Sequence, residues 1–99
     1  MDTRYLQSFV SVVESGSLAE AARRLDLTSA AIAARIRILE EEFGTPLLKL
    51  SGRALKPTTA GVKVFEGGVA LLRDLRNLQA VARDGAPLGE LRLGVFFSA

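Results

Sequence analysis

Apolar residues recur at helical intervals through the first part of the chain. The first stripe comprises Leu6, Phe9, Val10 and Val13. Intervals of three and four residues are typical of one face of an α-helix, so the pattern predicts an amphipathic helix over about residues 4–15. Gly16 can adopt the left-handed conformation that ends a helix, and it marks the end of this one.

A second, short helix is predicted directly after this glycine. Ser17 and Glu20 have the spacing of a capping box, in which the serine hydroxyl accepts a hydrogen bond from a backbone amide and the glutamate reaches back. The predicted buried stripe is Leu18, Ala21, Ala22 and Leu25. The two alanines either let two helices cross closely or simply favour helix formation, and the pattern fits both interpretations.

The third predicted helix begins after Thr28, which can cap its amino terminus. Its apolar stripe is Ile32, Ile36, Leu39 and Phe43. Gly44 ends this helix, and Pro46 follows two residues later, where a helix cannot continue.

Two very short strands are predicted next, over residues 47–50 and 53–56. Ser51 and Gly52 form the turn between them, and Pro57 ends the second strand. The two strands therefore predict a small hairpin, or wing.

A long helix is predicted over residues 59–84, with Thr58 as its cap. Its near-heptad apolar stripe is Val62, Phe65, Val69, Leu72, Leu75, Leu78 and Ala82. The opposite face lacks dense Lys and Arg, so the stripe favours a dimer seam over a membrane-binding or peptide-binding face. Gly67 and Gly68 each cost about 1 kcal/mol relative to alanine, so either another helix packs closely there or the helix bends.

Residues 85–99 change in character, from a hinge-like Asp-Gly-Ala-Pro segment to alternating and then continuous apolar residues. The pattern predicts a hinge and one strand. Because a lone strand has no sheet to join, we expect it to be the first strand of a second domain that this chain lacks.

The residue types that are absent narrow the function. The 99 residues contain neither histidine nor cysteine, which argues against zinc fingers, imidazole bases and thiolate nucleophiles. A helix distributes Glu40, Glu41 and Glu42 over different faces, so we interpret them as a solvated acidic end rather than as metal ligands. We therefore expect neither an enzyme nor a cofactor.

The sequence shows neither a signal-peptide layout nor a membrane span, and we expect a cytoplasmic protein.

Two helices and a short turn over residues 18–37, followed by a wing, have the layout of a winged helix-turn-helix. Several segments, in this order, resemble the amino-terminal domain of LysR-type transcriptional regulators. They are MDTRYLQSF at 1–9, GSLAEAARRL at 16–25, IRILE at 36–40, FGTPLL at 43–48, TTAG at 58–61 and GELRLG at 89–94. Each segment is weakly specific alone, and the ordered set is specific.

The resemblance implies a mainly helical fold, with a winged helix-turn-helix over residues 1–58 and a linker helix over residues 59–84. It implies that the third helix enters the major groove of double-stranded DNA, that the wing lies near the adjacent backbone or minor groove, and that antiparallel linker helices form a homodimer. Such a dimer would read an inverted repeat in promoter DNA, with half-sites about 34 Å or a multiple apart. A small-molecule effector is expected only in the domain that this chain lacks, and the resemblance allows dimers of dimers at full length.

The chain departs from the family on the third helix and in the wing. Residues 28–35 read TSAAIAAR where the family usually has glutamine and arginine at the second and seventh positions, so the outward face is nearly bare of hydrogen-bonding groups. Leu50 stands where the wing usually carries an arginine. The candidate DNA-binding residues are Thr28, Ser29, Ala30, Ala33, Ala34, Arg35, Arg37, Lys49, Arg53 and Lys56.

These candidates imply modest discrimination between bases. Alanines can contact thymine methyl groups, Ser29 can bond to a base or a phosphate, and Arg37 could reach guanine. Arg35 either replaces the missing arginine or has a structural role, and the wing cations either contact phosphates or are solvated surface charges.

Two functions are consistent with the sequence. Residues 28–63 carry six basic and three acidic side chains, so their net charge is +3 and any DNA affinity should be moderate and salt-sensitive. The first hypothesis is a sequence-specific DNA-binding transcription regulator. The alternative is a winged-helix module for protein interaction, with weak or non-specific DNA binding.

Overall fold

The computed structural model describes residues 1–84 of the chain, which form six elements. Three helices come first: α1 (Thr3–Ser15), α2 (Leu18–Leu25) and α3 (Ser29–Phe43). An antiparallel hairpin and a long helix follow: β1 (Leu48–Ser51), β2 (Ala54–Pro57) and α4 (Thr59–Asp84). This order confirms the predicted fold class of a winged helix-turn-helix followed by a long helix. The hinge and strand predicted for residues 85–99 lie outside the described residues.

Helices α1, α2 and α3 each begin at a residue whose side chain accepts a hydrogen bond from the first turn. Asp2 accepts from the Arg4 amide (2.9 Å), Ser17 from the Glu20 amide (3.2 Å) and Thr28 from the Ala31 amide (3.1 Å). These bonds satisfy amide donors that have no partner inside the helix. Local sequence therefore determines where the three helices begin.

The second half of the predicted capping box at α2 is wrong. The Ser17 amide donates to the Ser15 hydroxyl (3.4 Å), while the Glu20 carboxylate pairs with Arg23 and with Arg24, the latter at 3.4 Å. Hydrogen bonds from cationic guanidinium groups are stronger than one from a neutral amide, which explains why Glu20 pairs with the two arginines rather than with the Ser17 amide. The hydrogen bonds from Arg23 lower the pKa of Glu20.

The core lies where α1, α2 and α3 pack against one another in pairs. Its buried apolar side chains are Leu6, Phe9, Val10, Val12, Ala21, Ala22, Ile32, Ile36, Leu39 and Leu47. Ala21 and Ala22 are 0% and 5% exposed and are the buried residues of α2, which contacts both other helices. Their small side chains therefore let α2 approach both neighbours, which is the first of the two interpretations offered by the sequence.

Two details of the predicted stripes differ from the structure. Val12 is fully buried in α1, whereas Val13 is only half-buried. Phe43, predicted as the last buried position of α3, is 41% exposed, and Leu47 is fully buried beyond the end of that helix. The chain turns back after Gly44, so a residue outside the helix occupies the core where the helical pattern expected Phe43.

The hairpin lies one residue later than predicted. Leu50 pairs with Leu55 and Ser51 with Ala54, which leaves Gly52 and Arg53 as the two-residue turn. Gly52 has a φ of 64°. A positive φ at the first position of a two-residue turn is typical of the type II′ hairpin, which favours glycine there. The conformational freedom of Gly52 thus explains the register.

Thr58 caps helix α4, as predicted. The Thr58 hydroxyl accepts from the Gly61 amide (3.0 Å) and donates to the Pro46 carbonyl (2.8 Å). The described chain divides within α4 into a compact unit, Met1–Gly68, and a second unit from Val69 onward, whereas the sequence placed a boundary after residue 58. We call Met1–Gly68 the head.

Two glycines of α4 allow close packing inside the head. A β-carbon at Gly61 would meet the backbone carbonyl of Leu47 and lie 3.1 Å from the Pro57 side chain. At Gly68 a β-carbon would lie 3.0 Å from Leu6 of α1, which favours the close-packing interpretation of the Gly67-Gly68 pair. Gly67 has open space around it.

We therefore expect opposite effects from two alanine substitutions in α4. Gly61→Ala should lower the free energy of unfolding by about 2–3 kcal/mol, because the new methyl group meets backbone rather than a flexible side chain. Gly67→Ala should raise it by about 0.5–1 kcal/mol, because alanine favours the helix and the position is open. Urea denaturation of the two variants and the wild type measures both effects. Equal effects at the two positions would contradict the packing at Gly61.

Candidate nucleic-acid interface

A tight turn sets α3 against α2. Asp26 ends α2 in the left-handed conformation, with φ 57° and ψ 46°, and the Leu27 amide donates to the Ala22 carbonyl (2.9 Å). Aspartate tolerates this conformation better than most residues with a side chain. The exposed Thr28 then caps α3, so only two residues separate the end of α2 from the cap of α3. The geometry is that of a helix-turn-helix.

One side of α3 is in the core and the other is open. Ile32, Ile36 and Leu39 are buried. Over residues 29–37 the open side is formed by Ser29, Ala30, Ala34 and Arg37, which are exposed, and by the half-buried Ala33. We call these five residues the open face of α3. Only Ser29 and Arg37 carry side-chain hydrogen-bonding groups there, so the face combines a small, smooth surface with one cation.

Arg35 lies apart from the open face. Its guanidinium donates to the Ser8 hydroxyl (3.3 Å) and stands 5.4 Å from the centre of the Tyr5 ring, both on α1. Successive residues of a helix are about 100° apart, which carries this side chain away from its neighbour Ala34. The structure therefore places Arg35 between α3 and α1 and does not bring it together with the other predicted DNA-binding residues of α3.

The hairpin has one basic face and one apolar face. Lys49 and Lys56 pair across the strands and both are exposed, as is Arg53 in the turn. Leu50 pairs with Leu55 on the opposite face. The sequence from residue 48 to residue 57 contains no acidic residue, so every charge on the wing is positive.

The open face of α3 and the apolar face of the wing border one shallow groove. Ala33 and Arg37 line it from α3, and Leu48 and Leu55 line it from the two strands. Ala33 and Arg37 of the open face therefore adjoin the apolar face of the wing, whereas Lys49 and Lys56 lie on the other face of the hairpin.

Glu40 fixes the wing to α3. Its Oε2 atom accepts hydrogen bonds from the Leu47 amide (2.7 Å) and the Leu48 amide (3.3 Å), at the start of β1. The interpretation of Glu40 as part of a solvated acidic end is wrong, whereas Glu41 and Glu42 are exposed. Glu40 lies four residues after the buried Ile36, on the same side of the helix, which is the one signal in the sequence that could have indicated this role.

The cations of the interface are available to a ligand. Arg37, Lys49, Arg53 and Lys56 form no ion pair with another described residue. Asp2, in contrast, accepts hydrogen bonds from Arg4, and these lower its pKa to about 2.

Within residues 1–84 no group of acidic side chains is arranged to hold a metal ion. None of the helices described is long and apolar enough to cross a membrane.

Comparison with known proteins gives one consistent result. Residues 3–62 match the family model described as bacterial regulatory helix-turn-helix protein, lysR family. The chain is 32% identical over 98 residues to the HTH-type transcriptional regulator ClcR of Pseudomonas putida, covering 97% of this chain and 33% of that protein. It is 36% identical over 95 residues to the HTH-type transcriptional regulator CzcR of Bacillus anthracis, covering 95% of this chain and 33% of that protein. The chain thus spans about a third of the length of these relatives.

Solved structures show the same similarity. The DNA-binding domain of BenM, in complex with catB site 1 DNA, superposes with a TM-score of 0.81 at 31% identity, covering 85% of this chain and 93% of that one. The DNA-binding domain of CbnR, also in a DNA complex, superposes with a TM-score of 0.79 at 31% identity, covering 88% of this chain and 100% of that one.

The bonds to Glu40 predict a specific loss of stability. Glu40→Ala should lower the free energy of unfolding by about 1–3 kcal/mol, because it leaves two part-buried amide donors without their acceptor. Glu40→Gln should lose less, because its amide oxygen can still accept. Glu41→Ala is the matched control, since Glu41 is the exposed neighbour. Chemical denaturation measures all three, and equal losses at Glu40 and Glu41 would show that the bonds to β1 contribute nothing.

Proposed function

Because the chain belongs to the LysR family of bacterial regulatory helix-turn-helix proteins, we propose that it is the DNA-binding part of a transcription regulator that reads inverted-repeat promoter DNA as a dimer. The observation that carries this function is the open face of α3, which adjoins a cationic wing in a head similar to domains solved on DNA. A helix held this way by a helix-turn-helix is the element that enters a major groove.

The open face of α3 favours apolar readout over hydrogen-bonded readout. Ala30, Ala33 and Ala34 offer methyl groups that can contact the C5-methyl group of thymine. Ser29 can bond to a base edge or a phosphate, and Arg37 can donate two hydrogen bonds to guanine. Each missing bidentate contact removes about 1–3 kcal/mol of discrimination, so DNA shape and A·T content should contribute more here than in a relative with glutamine and arginine at these positions.

The wing cations supply contacts to the phosphate backbone. Lys49, Arg53 and Lys56 are exposed, and the strands and turn that carry them hold no acidic residue. Each phosphate that such a side chain neutralises lowers the logarithm of the binding constant by about 0.9 for every tenfold rise in salt. Binding is therefore of moderate strength and strongly salt-dependent.

Helix α4 supports pairing of two chains. Val62 and Leu78 of the predicted seam are 42% and 41% exposed, and Ala82 is exposed as well. The other predicted seam residues are half-buried: Phe65, Val69, Leu72 and Leu75. Exposed large apolar residues along one helix favour burial against a partner, and a second copy of the same helix offers the complementary stripe.

The function of the chain is binding, and we propose that control lies elsewhere in the full-length protein. The relatives are about three times as long as this chain. Their additional length is the place for a small-molecule effector site, and for contacts that assemble dimers into tetramers. In our proposal the chain acts on DNA in the cytoplasm and catalyses no reaction.

Selection from a random duplex pool tests the proposed function. The chain is incubated at low salt with the pool, and the retained duplexes are sequenced. The proposal predicts an enriched inverted repeat whose half-site centres lie one helical turn, about 10 base pairs, or a multiple apart. Retention without a motif would contradict sequence-specific reading, and no retention at all would favour the protein-interaction module instead.

A single substitution tests the assignment of the open face. Ala34→Arg should tighten binding to the selected duplex by about tenfold, because a guanidinium at this exposed position adds charge-assisted hydrogen bonds to the groove. Ala34→Met is the matched control, since it adds length without charge. Titration by fluorescence anisotropy measures both. Unchanged or weaker binding by Ala34→Arg would show that this face does not meet DNA.

A further inference from the structure

Leu50 is the most exposed large apolar residue in the described part of the chain. It is 75% exposed, compared with 53% for Leu71 and 66% for Met1 at the terminus. It lies near the tip of the hairpin, two residues before the turn at Gly52. A leucine this exposed contributes little to the stability of the head, so packing does not explain why an apolar residue lies at this position.

The register of the hairpin places Leu50 on the side that faces the groove. Leu48 and Leu55 line that groove together with Ala33 and Arg37 of α3. Leu50 is directly opposite Leu55 and two residues from Leu48, so it shares their face of the two strands. Residues two apart in a strand are separated by about 7 Å, and Leu50 therefore extends the grooved surface outward toward the tip.

Cations surround this leucine on the rest of the wing. Lys49 and Lys56 pair across the strands on the other face of the hairpin, and Arg53 follows Leu50 in the turn. All three are exposed. In the minor groove of DNA, two phosphate backbones flank a channel with apolar walls. A hairpin with an apolar tip and cations around it is complementary to that arrangement.

We propose that Leu50 enters the minor groove beside each half-site and selects A·T pairs there. This inference rests on the proposed function, because it assumes that the open face of α3 occupies the neighbouring major groove. The two grooves are separated by a single phosphate backbone, which the three wing cations would contact.

The preference for A·T pairs follows from the groups that the bases present on the floor of the minor groove. A·T and T·A pairs present only acceptors there, whereas a G·C pair adds the N2 amino group of guanine, which is a donor. A leucine cannot accept a hydrogen bond, and covering that donor without a partner is unfavourable. Leu50 therefore disfavours guanine at the flanking positions. An arginine at this position would be drawn instead by the negative potential of the groove.

Inosine separates this mechanism from other preferences for A·T. An I·C pair resembles G·C in the major groove but lacks the N2 amino group in the minor groove. The probe is a 40-base-pair duplex that carries the inverted repeat selected by the wild-type chain. In each duplex, a block of three base pairs outside each half-site is made entirely A·T, G·C or I·C. The block is moved outward one step at a time, and the dissociation constant is measured for each duplex.

The wild type should bind A·T and I·C flanks with equal affinity and G·C flanks about fivefold more weakly at one block position. Leu50→Ala should bind all three flanks alike, with the salt dependence unchanged. Lys49→Met is the matched variant from the same strand, and it should lower the salt slope by about 0.9 while keeping the flank preference. The thermal unfolding midpoint of Leu50→Ala should match the wild type, since the side chain is exposed.

Two results would overturn the inference. One is equal binding of the wild type to all three flanks, and the other is a flank preference that persists in Leu50→Ala, which would assign it to DNA shape. Either result leaves the selected inverted repeat, and thus the proposed function, intact. Failure of the proposed function is recognised separately, because the wild type would then select no duplex from the random pool.

Discussion

The arrangement of the head depends on the hydrogen bonds of one residue, Leu47. Its amide donates to Glu40 of α3 (2.7 Å), and its carbonyl accepts from the Thr58 amide (3.0 Å) at the start of α4. Its side chain is fully buried, and Gly61 lies against its carbonyl. Helix α3, the wing and the first turns of α4 therefore meet at a single residue. Because the bond to Glu40 is short and part-buried, it holds the wing at a fixed place beside α3.

Elements that local sequence determines were predicted well. The capping side chains Asp2, Ser17 and Thr28 start the three helices where a polar residue precedes an apolar stripe. Each cap acts within three residues of itself, so its effect can be read directly from the chain. The strands were displaced by one residue, because several registers satisfy so short a pattern and the positive φ of Gly52 selects among them.

Side-chain partners that are distant in sequence could not be predicted in this way. Arg35 contacts Ser8, which is 27 positions away, and this contact exists only once α1 and α3 have packed. Glu40 likewise finds its partners after the chain has turned back at Gly44. In both cases the sequence showed a charged residue on a helix but not the surface that the helix would face. Tertiary packing therefore determined which charges remain on the candidate interface.

The open face of α3 separates folding from recognition. The buried residues of α3, Ile32, Ile36 and Leu39, lie on the opposite side, and three of the five residues of the open face are alanines. Substitutions there cost the fold little, because they neither empty a packed space nor remove a buried hydrogen bond. In evolutionary terms such a helix can diverge quickly after gene duplication. Under the proposed function, the base preference could then change one residue at a time, while each intermediate still folds.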